Sequence, residues 1–126
     1  MSILGVGTDL VEVARIERAF KDHGQRFAER ILHATELENY HKTDDKVAWL
    51  ATCFAVKEAV SKALGTGIAQ GVSWRHIAYI RVEKEAPTAI LHEAALSRFQ
   101  CLGASALHVS LSHDAGLVQS FAVLSK

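Results

Sequence analysis

The 126-residue sequence predicts an α+β fold, a small and mainly antiparallel sheet packed with helices. Three observations lead there. Strand-like segments stand near both ends and in the middle of the chain, helical periodicity clusters between the first and second of them, and the last two segments face each other across a single turn. Strands and helices do not alternate regularly, as a parallel sheet would require.

Residues 3–8 mix β-formers with Gly5 and Gly7, predicting a short strand whose backbone comes close to another element, with Asp9 at its end. Over residues 11–23, Val13, Ile16, Ala19 and Phe20 recur at helical spacing, and Gly24 stops that helix. Residues 26–32 form a second helix. Thr35 to Glu38 has capping-box form, with Thr35 as N-cap and Glu38 reaching back, so a third short helix follows. Asp44 or Asp45 caps the longest helix, residues 46–64, with Gly65 ending it. Residues 77–82 and 88–91 are strands around a turn at Pro87, and residues 92–102 are a helix stopped by Gly103. Residues 107–112 and 117–124 alternate as a hairpin whose turn is His113-Asp114-Ala115-Gly116.

This length makes one domain spanning residues 1–126, with one core, and a large substrate would call for a subunit interface. With 49% hydrophobic and 22% charged residues and no low-complexity run, the chain is an ordinary globular one. Fourteen basic residues balance fourteen acidic ones, so total charge supports no general affinity for nucleic acid. No segment has transmembrane length, and the apolar start meets Asp9 too soon for a signal peptide. Cys53 and Cys101 are isolated in helical surroundings, which predicts two reduced, buried thiols and a cytoplasmic chain.

The most informative stretch runs from Phe54 to Gly67. It sets Glu58, Ser61 and Lys62 on a helix ending in the loop Gly65-Thr66-Gly67. Glu58 and Lys62 alone would be a surface pair worth about 0.2–0.5 kcal/mol. Their neighbours Phe54, Ala55, Ala59, Val60 and Ala63 are small or apolar, so the stretch packs on several sides, and a carboxylate there needs a partner or a cation. Asp9 and Glu58 are two hard ligands suited to magnesium, with Lys62 beside them for phosphate. Gly65-Thr66-Gly67 follows a helix rather than opening one, so as a phosphate loop it is weaker than as a helix cap. His113 and Asp114 are common turn residues, and the seven histidines show no zinc spacing. Residues 15–30 carry Arg15, Arg18, Lys21, Arg26 and Arg30 against Glu17, Asp22 and Glu29, which is either a solvated surface or a docking face for an acidic protein.

Residues 5–16, the Phe54 to Gly67 block and residues 108–113, in this order and within this length, resemble the holo-[acyl-carrier-protein] synthase family over nearly the whole chain. The resemblance implies an enzyme of lipid metabolism and fatty acid biosynthesis. It would transfer 4′-phosphopantetheine from coenzyme A to a serine of apo acyl carrier protein, releasing adenosine 3′,5′-bisphosphate with magnesium as cofactor. It further implies that Asp9 and Glu58 are metal ligands and Lys62 a phosphate contact, and that Gly65, Thr66, Gly67, Pro87 and His113 line the coenzyme site. Arg15, Arg26 and Phe27 would form the carrier-docking surface. The family forms homotrimers with active sites between subunits. Either Glu58 or a metal-bound water receives the serine proton; the sequence leaves that choice open. Cys53 stands where the family often has arginine, Asp44-Asp45-Lys46 where it has basic residues, and Glu85-Ala86-Pro87 where it has Gly-Lys-Pro. Those departures predict altered coenzyme affinity with activity retained. Two other classes stay open at this point: a non-catalytic module binding acyl carrier protein or coenzyme A, and a metal-dependent hydrolase splitting a nucleotide pyrophosphate with water.

Overall fold

The computed structural model describes residues 2–126. Two antiparallel sheets and five helices follow in the order β1 (Ile3–Glu12), α1 (Val13–His23), α2 (Gln25–Ile31), α3 (Ala34–Lys42), α4 (Lys46–Ala63), β2 (Ile77–Ile80), β3 (Thr88–Leu91), α5 (Glu93–Cys101), β4 (Ala106–Asp114) and β5 (Leu117–Ser125). The larger sheet has strand order β1-β5-β4, and β2 pairs with β3 in the smaller one. A 3₁₀ turn over Trp74–His76 leads into β2.

Helix α4 is the spine of the core. Eleven of its eighteen residues are buried, and it packs along β1 and β5. The contact with β1 is backbone against backbone. A Cβ built on Gly5 would lie 1.9 Å from the Ala63 carbonyl oxygen, and one on Gly7 would lie 1.9 Å from that of Ala59. The close approach expected of this strand is therefore made to the last turns of α4, and only glycine permits it. Along β1 the side chains alternate: Gly7 and Val11 are buried with Asp9 half-buried between them, whereas Val6, Thr8, Leu10 and Glu12 are exposed.

Several boundaries differ from expectation. Strand β1 continues to Glu12, so Asp9 lies within the strand, opposite Ser120, and not at its end; α1 starts at Val13. Long pairing with β5 holds these residues extended although their pattern is compatible with a helix. Gly24, with φ 55°, ends α1, and its N–H donates to the Phe20 carbonyl at 2.7 Å. The cap of α3 is His33, not Thr35: His33 Nδ1 accepts from the Thr35 N–H at 3.2 Å, and Glu36 Oε1 accepts from the His33 N–H at 2.8 Å. Asp45 caps α4 through the Ala48 N–H at 3.0 Å. Leu64 is the C-cap there, with Gly65 next to it at φ 81°. The β4–β5 turn is Ala115-Gly116, both at positive φ, so His113 and Asp114 are strand residues rather than turn residues. Cys53 is buried, and burial pushes its thiol well above its usual pKa; Cys101 is exposed, contrary to the expectation of two buried thiols.

A buried ion pair ties four elements together. Lys57 on α4 donates to Glu36 Oε1 at 2.5 Å, to the Trp74 carbonyl at 3.0 Å and to the Ile77 carbonyl, while Glu36 Oε2 accepts from the Tyr79 N–H at 2.9 Å. Both side chains are fully buried. Every ammonium proton has a partner and both carboxylate oxygens accept, which is the condition under which a buried pair can be tolerated.

Candidate active site

The glycine contact decides where Asp9 stands. With Gly5 and Gly7 against the final turns of α4, the next side chain on that face of β1 is Asp9, brought beside the residues that follow Ala59 on the helix. Lys62 Nζ lies 3.2 Å from Asp9 Oδ1 and 2.9 Å from the Thr8 carbonyl oxygen. Glu58, one helical turn earlier, lines a cavity of about 380 Å³ together with Asp9, Arg15, Phe27 and Phe54. Its carboxylate is not loose: the Trp74 indole N–H donates to Glu58 Oε1 at 2.9 Å.

Two carboxylates and two of the expected docking residues thus line one cavity, with the Lys62 ammonium against Asp9. The Lys62 side chain is half exposed, so its pair with Asp9 is worth at most about 1 kcal/mol and yields readily to a stronger anion. Arg15 is exposed on α1, and Phe27 on α2 also lines a second cavity with His23, Arg26 and Arg30. Arg26 is therefore a neighbour of the carboxylate cavity through Phe27, without lining it.

The remaining expected residues stand apart. Gly65, Thr66 and Gly67 follow α4, where the Gly67 N–H reaches back to the Ser61 carbonyl at 3.0 Å. Pro87 precedes β3. His113 lies on β4 with its Nε2 3.1 Å from Thr52 Oγ1, and it lines a different cavity of about 450 Å³ with Thr43, Asp45 and Arg81. None of these five lines the cavity of Asp9 and Glu58. Sequence reasoning missed Trp74, whose link to Glu58 spans sixteen positions, and Arg98, whose Nε holds the Leu64 carbonyl at 2.9 Å at the end of α4. Neither position carries a local signal, because both contacts arise only from folding.

The donor set can be tested for magnesium on its own chemistry. No group of three His, Cys, Asp or Glu able to hold a metal occurs among the described residues. Two carboxylates at one cavity beside a displaceable lysine are too few for a closed zinc site. They match magnesium, which keeps several waters and takes one or two carboxylates together with substrate phosphates. The residues present fit that ion.

Comparison with known proteins gives one answer at every level. Residues 5–118 match the model of the 4′-phosphopantetheinyl transferase superfamily. The chain is 44% identical over 122 residues to the holo-[acyl-carrier-protein] synthase of Halorhodospira halophila, covering 97% of each chain. It is 43% identical over 124 residues to that of Shewanella amazonensis, covering 98% of this chain and 99% of the relative. The fold superimposes on the crystal structure of the Neisseria meningitidis holo-[acyl-carrier-protein] synthase with a TM-score of 0.91 at 39% identity, over 99% of this chain and 100% of that one. The Helicobacter pylori synthase in complex with coenzyme A gives 0.81 at 35% identity, over 95% and 99%. The chain belongs to the holo-[acyl-carrier-protein] synthase family of the 4′-phosphopantetheinyl transferase superfamily.

Proposed function

We propose that this protein transfers the 4′-phosphopantetheine group from coenzyme A to the serine of apo acyl carrier protein, yielding holo-acyl carrier protein and adenosine 3′,5′-bisphosphate. The observation that carries the reading is one cavity lined by Asp9 and Glu58 together with Arg15 and Phe27, on a chain matching holo-[acyl-carrier-protein] synthases over nearly its whole length. Asp9 and Glu58 would hold magnesium, whose contribution there is neutralisation of charge on the coenzyme phosphates. Lys62 leaves Asp9 for a phosphate oxygen at small cost and meets charge as it grows on the leaving group. The Trp74 indole N–H takes one acceptor position on Glu58 Oε1, and Oε2 accepts from no group among the described residues. Arg15, Arg26 and Phe27 orient the acidic carrier so that its serine enters from the α1–α2 side, and this positioning supplies a large part of the rate.

The reading includes a homotrimer with active sites between subunits. Two features support it. The outer face of the β1-β5-β4 sheet exposes Val6, Leu10 and Phe121 at 53%, 59% and 45%, an apolar strip for which a lone chain has no use. His113 and Asp9 line separate cavities within one chain, as expected where a coenzyme bridges Asp9 of one protomer and His113 of the partner subunit. Gly65, Thr66, Gly67 and Pro87 complete the coenzyme contacts in this reading. No helix among the described residues is long and apolar enough to cross a membrane, and the unpaired Cys53 and Cys101 suit the reducing cytoplasm.

The test incubates the purified chain with apo acyl carrier protein, coenzyme A and magnesium, with and without chelator, and weighs the carrier by mass spectrometry. A chelator-sensitive gain of one phosphopantetheinyl group is expected. An unchanged carrier would overturn the reading, and bisphosphate release without carrier would replace it with a hydrolase.

A further inference from the structure

Consecutive residues of α4 grip Trp74 at both of its ends. The Lys57 ammonium holds the Trp74 backbone carbonyl at 3.0 Å, and the Glu58 carboxylate accepts from the Trp74 indole N–H at 2.9 Å. Neighbouring helix positions point about 100° apart, so one residue reaches the core side of the 3₁₀ turn while the next reaches its cavity side. We infer that Trp74 is a positioning residue for the transfer, its indole N–H fixing the Glu58 carboxylate and its own backbone being fixed by the buried Lys57–Glu36 pair. The inference rests on the reading of Glu58 as a cation ligand.

The grip is stiff on every side. Lys57 has three donors and spends all three, on Glu36, Trp74 and Ile77, so the ammonium cannot shift without stranding a buried charge. The Trp74 ring lies between Phe54 of α4, with centroids 6.1 Å apart, and the Arg30 guanidinium of α2, 5.9 Å from the ring centroid. The indole N–H donates and never accepts, so it serves one purpose at this carboxylate: it holds Oε1 and with it the orientation of the group. A glutamate on a helix surface otherwise samples several rotamers, and fixing one in advance lowers what ligand binding must later order. Hydrogen-bonded partners of metal ligands act in this way.

Trp74→Phe removes the N–H and keeps a ring between Phe54 and Arg30. Manganese, a spectroscopic stand-in for magnesium, is titrated into the full chain in the presence of coenzyme A and followed by electron paramagnetic resonance. About a tenfold weaker manganese affinity is expected. Transfer kinetics should show a similar rise in the magnesium half-saturation, with kcat recovered at high magnesium and KM for both substrates unchanged. A merely structural role would lower thermal stability and leave the half-saturation in place, which would overturn the inference. Should the variant fail to fold, the unmodified chain decides: of its two indole N–H resonances, one should shift as magnesium is added, and no shift refutes the proposal. A wild-type chain that neither binds manganese nor modifies the carrier would instead overturn the cation reading and this inference with it. Tight manganese binding by both wild type and variant removes the inference alone.

Discussion

Replacing Gly7 by alanine tests whether the β1–α4 contact builds the site. Gly7 is not in the left-handed region, so alanine is compatible with its backbone; the obstacle is space alone. The added Cβ would stand 1.9 Å from the Ala59 carbonyl oxygen and 2.7 Å from the Ala63 nitrogen, both of them helix backbone that cannot rotate away. Ordinary contact begins at 3.4 Å, so β1 must retreat from the helix by about 1.5 Å. Overpacking of this kind costs about 1–3 kcal/mol, which in a chain of this size lowers Tm by roughly 5–10 °C. The damage to transfer should exceed the damage to folding. Asp9 is two residues on and on the same face, so its distance to Lys62 and Glu58 opens with the strand, and a misplacement near 1 Å costs about 100-fold in rate. Thermal unfolding and initial transfer rates well below the Tm, with the carrier weighed by mass spectrometry, give the two numbers. Gly103→Ala is the control: at φ 77° with nothing within 4 Å of an added Cβ, it carries a backbone penalty of about 1 kcal/mol in the turn after α5 and should leave transfer intact. A Gly7→Ala protein with wild-type transfer, or equal losses of rate in both variants, would refute the reasoning.

Lys57→Met should lose about 3–5 kcal/mol in chemical denaturation by leaving Glu36 buried and unpaired, and the further change Glu36→Gln should recover part of it; a loss under about 1 kcal/mol would contradict the pair's burial. Arg15→Glu should slow association with apo carrier protein in stopped-flow measurements and flatten its dependence on salt, since Arg15 is exposed at the cavity mouth; unchanged kinetics would reject the docking face. His33 should make stability sensitive to acid. Burial and the stacked His92 ring, 4.2 Å away, hold its pKa below 6.5 in the folded chain, so the unfolded chain takes up the proton first, and stability present above about pH 6.5 is lost as pH falls towards the folded value. His33→Asn keeps an N-cap without the titration, so its Tm should fall less than that of wild type between about pH 7.5 and about pH 5.5; parallel declines would exclude His33 as the cause.

What could be read in advance was what short-range physics dictates. The Gly-x-Gly of β1 announces a close backbone approach because two glycines in a strand have few other uses, and Ala59 and Ala63 stand there. Gly24 and Asp45 act at their helix ends as expected, since caps depend on neighbours a few residues away. The error at α3 has the opposite origin. Thr35 and Glu38 satisfy the capping pattern, yet Glu36 is drawn into the core by Lys57, twenty-one positions later, and by the Tyr79 N–H, forty-three positions later. Once Glu36 is fixed there, its Oε1 faces the His33 N–H, and the helix starts two residues earlier than a Thr35 cap would start it. A long-range ion pair thus overrode a local motif.

The same division runs through the candidate site. That Asp9, Glu58 and Lys62 fall close together was legible, because strand and helix positions that pattern can assign carry them. Trp74 was not, since its indole meets Glu58 only after the segment following α4 has turned back across the helix. Lys57 and Glu58 are adjacent in sequence and so share one fate: a change that loosens the buried ammonium also frees the backbone of the tryptophan that steadies the carboxylate. Stability and cation affinity should therefore fall together in Lys57 variants but separate in Trp74→Phe, which leaves the ion pair whole. That contrast distinguishes a site positioned through its core from one merely resting on it.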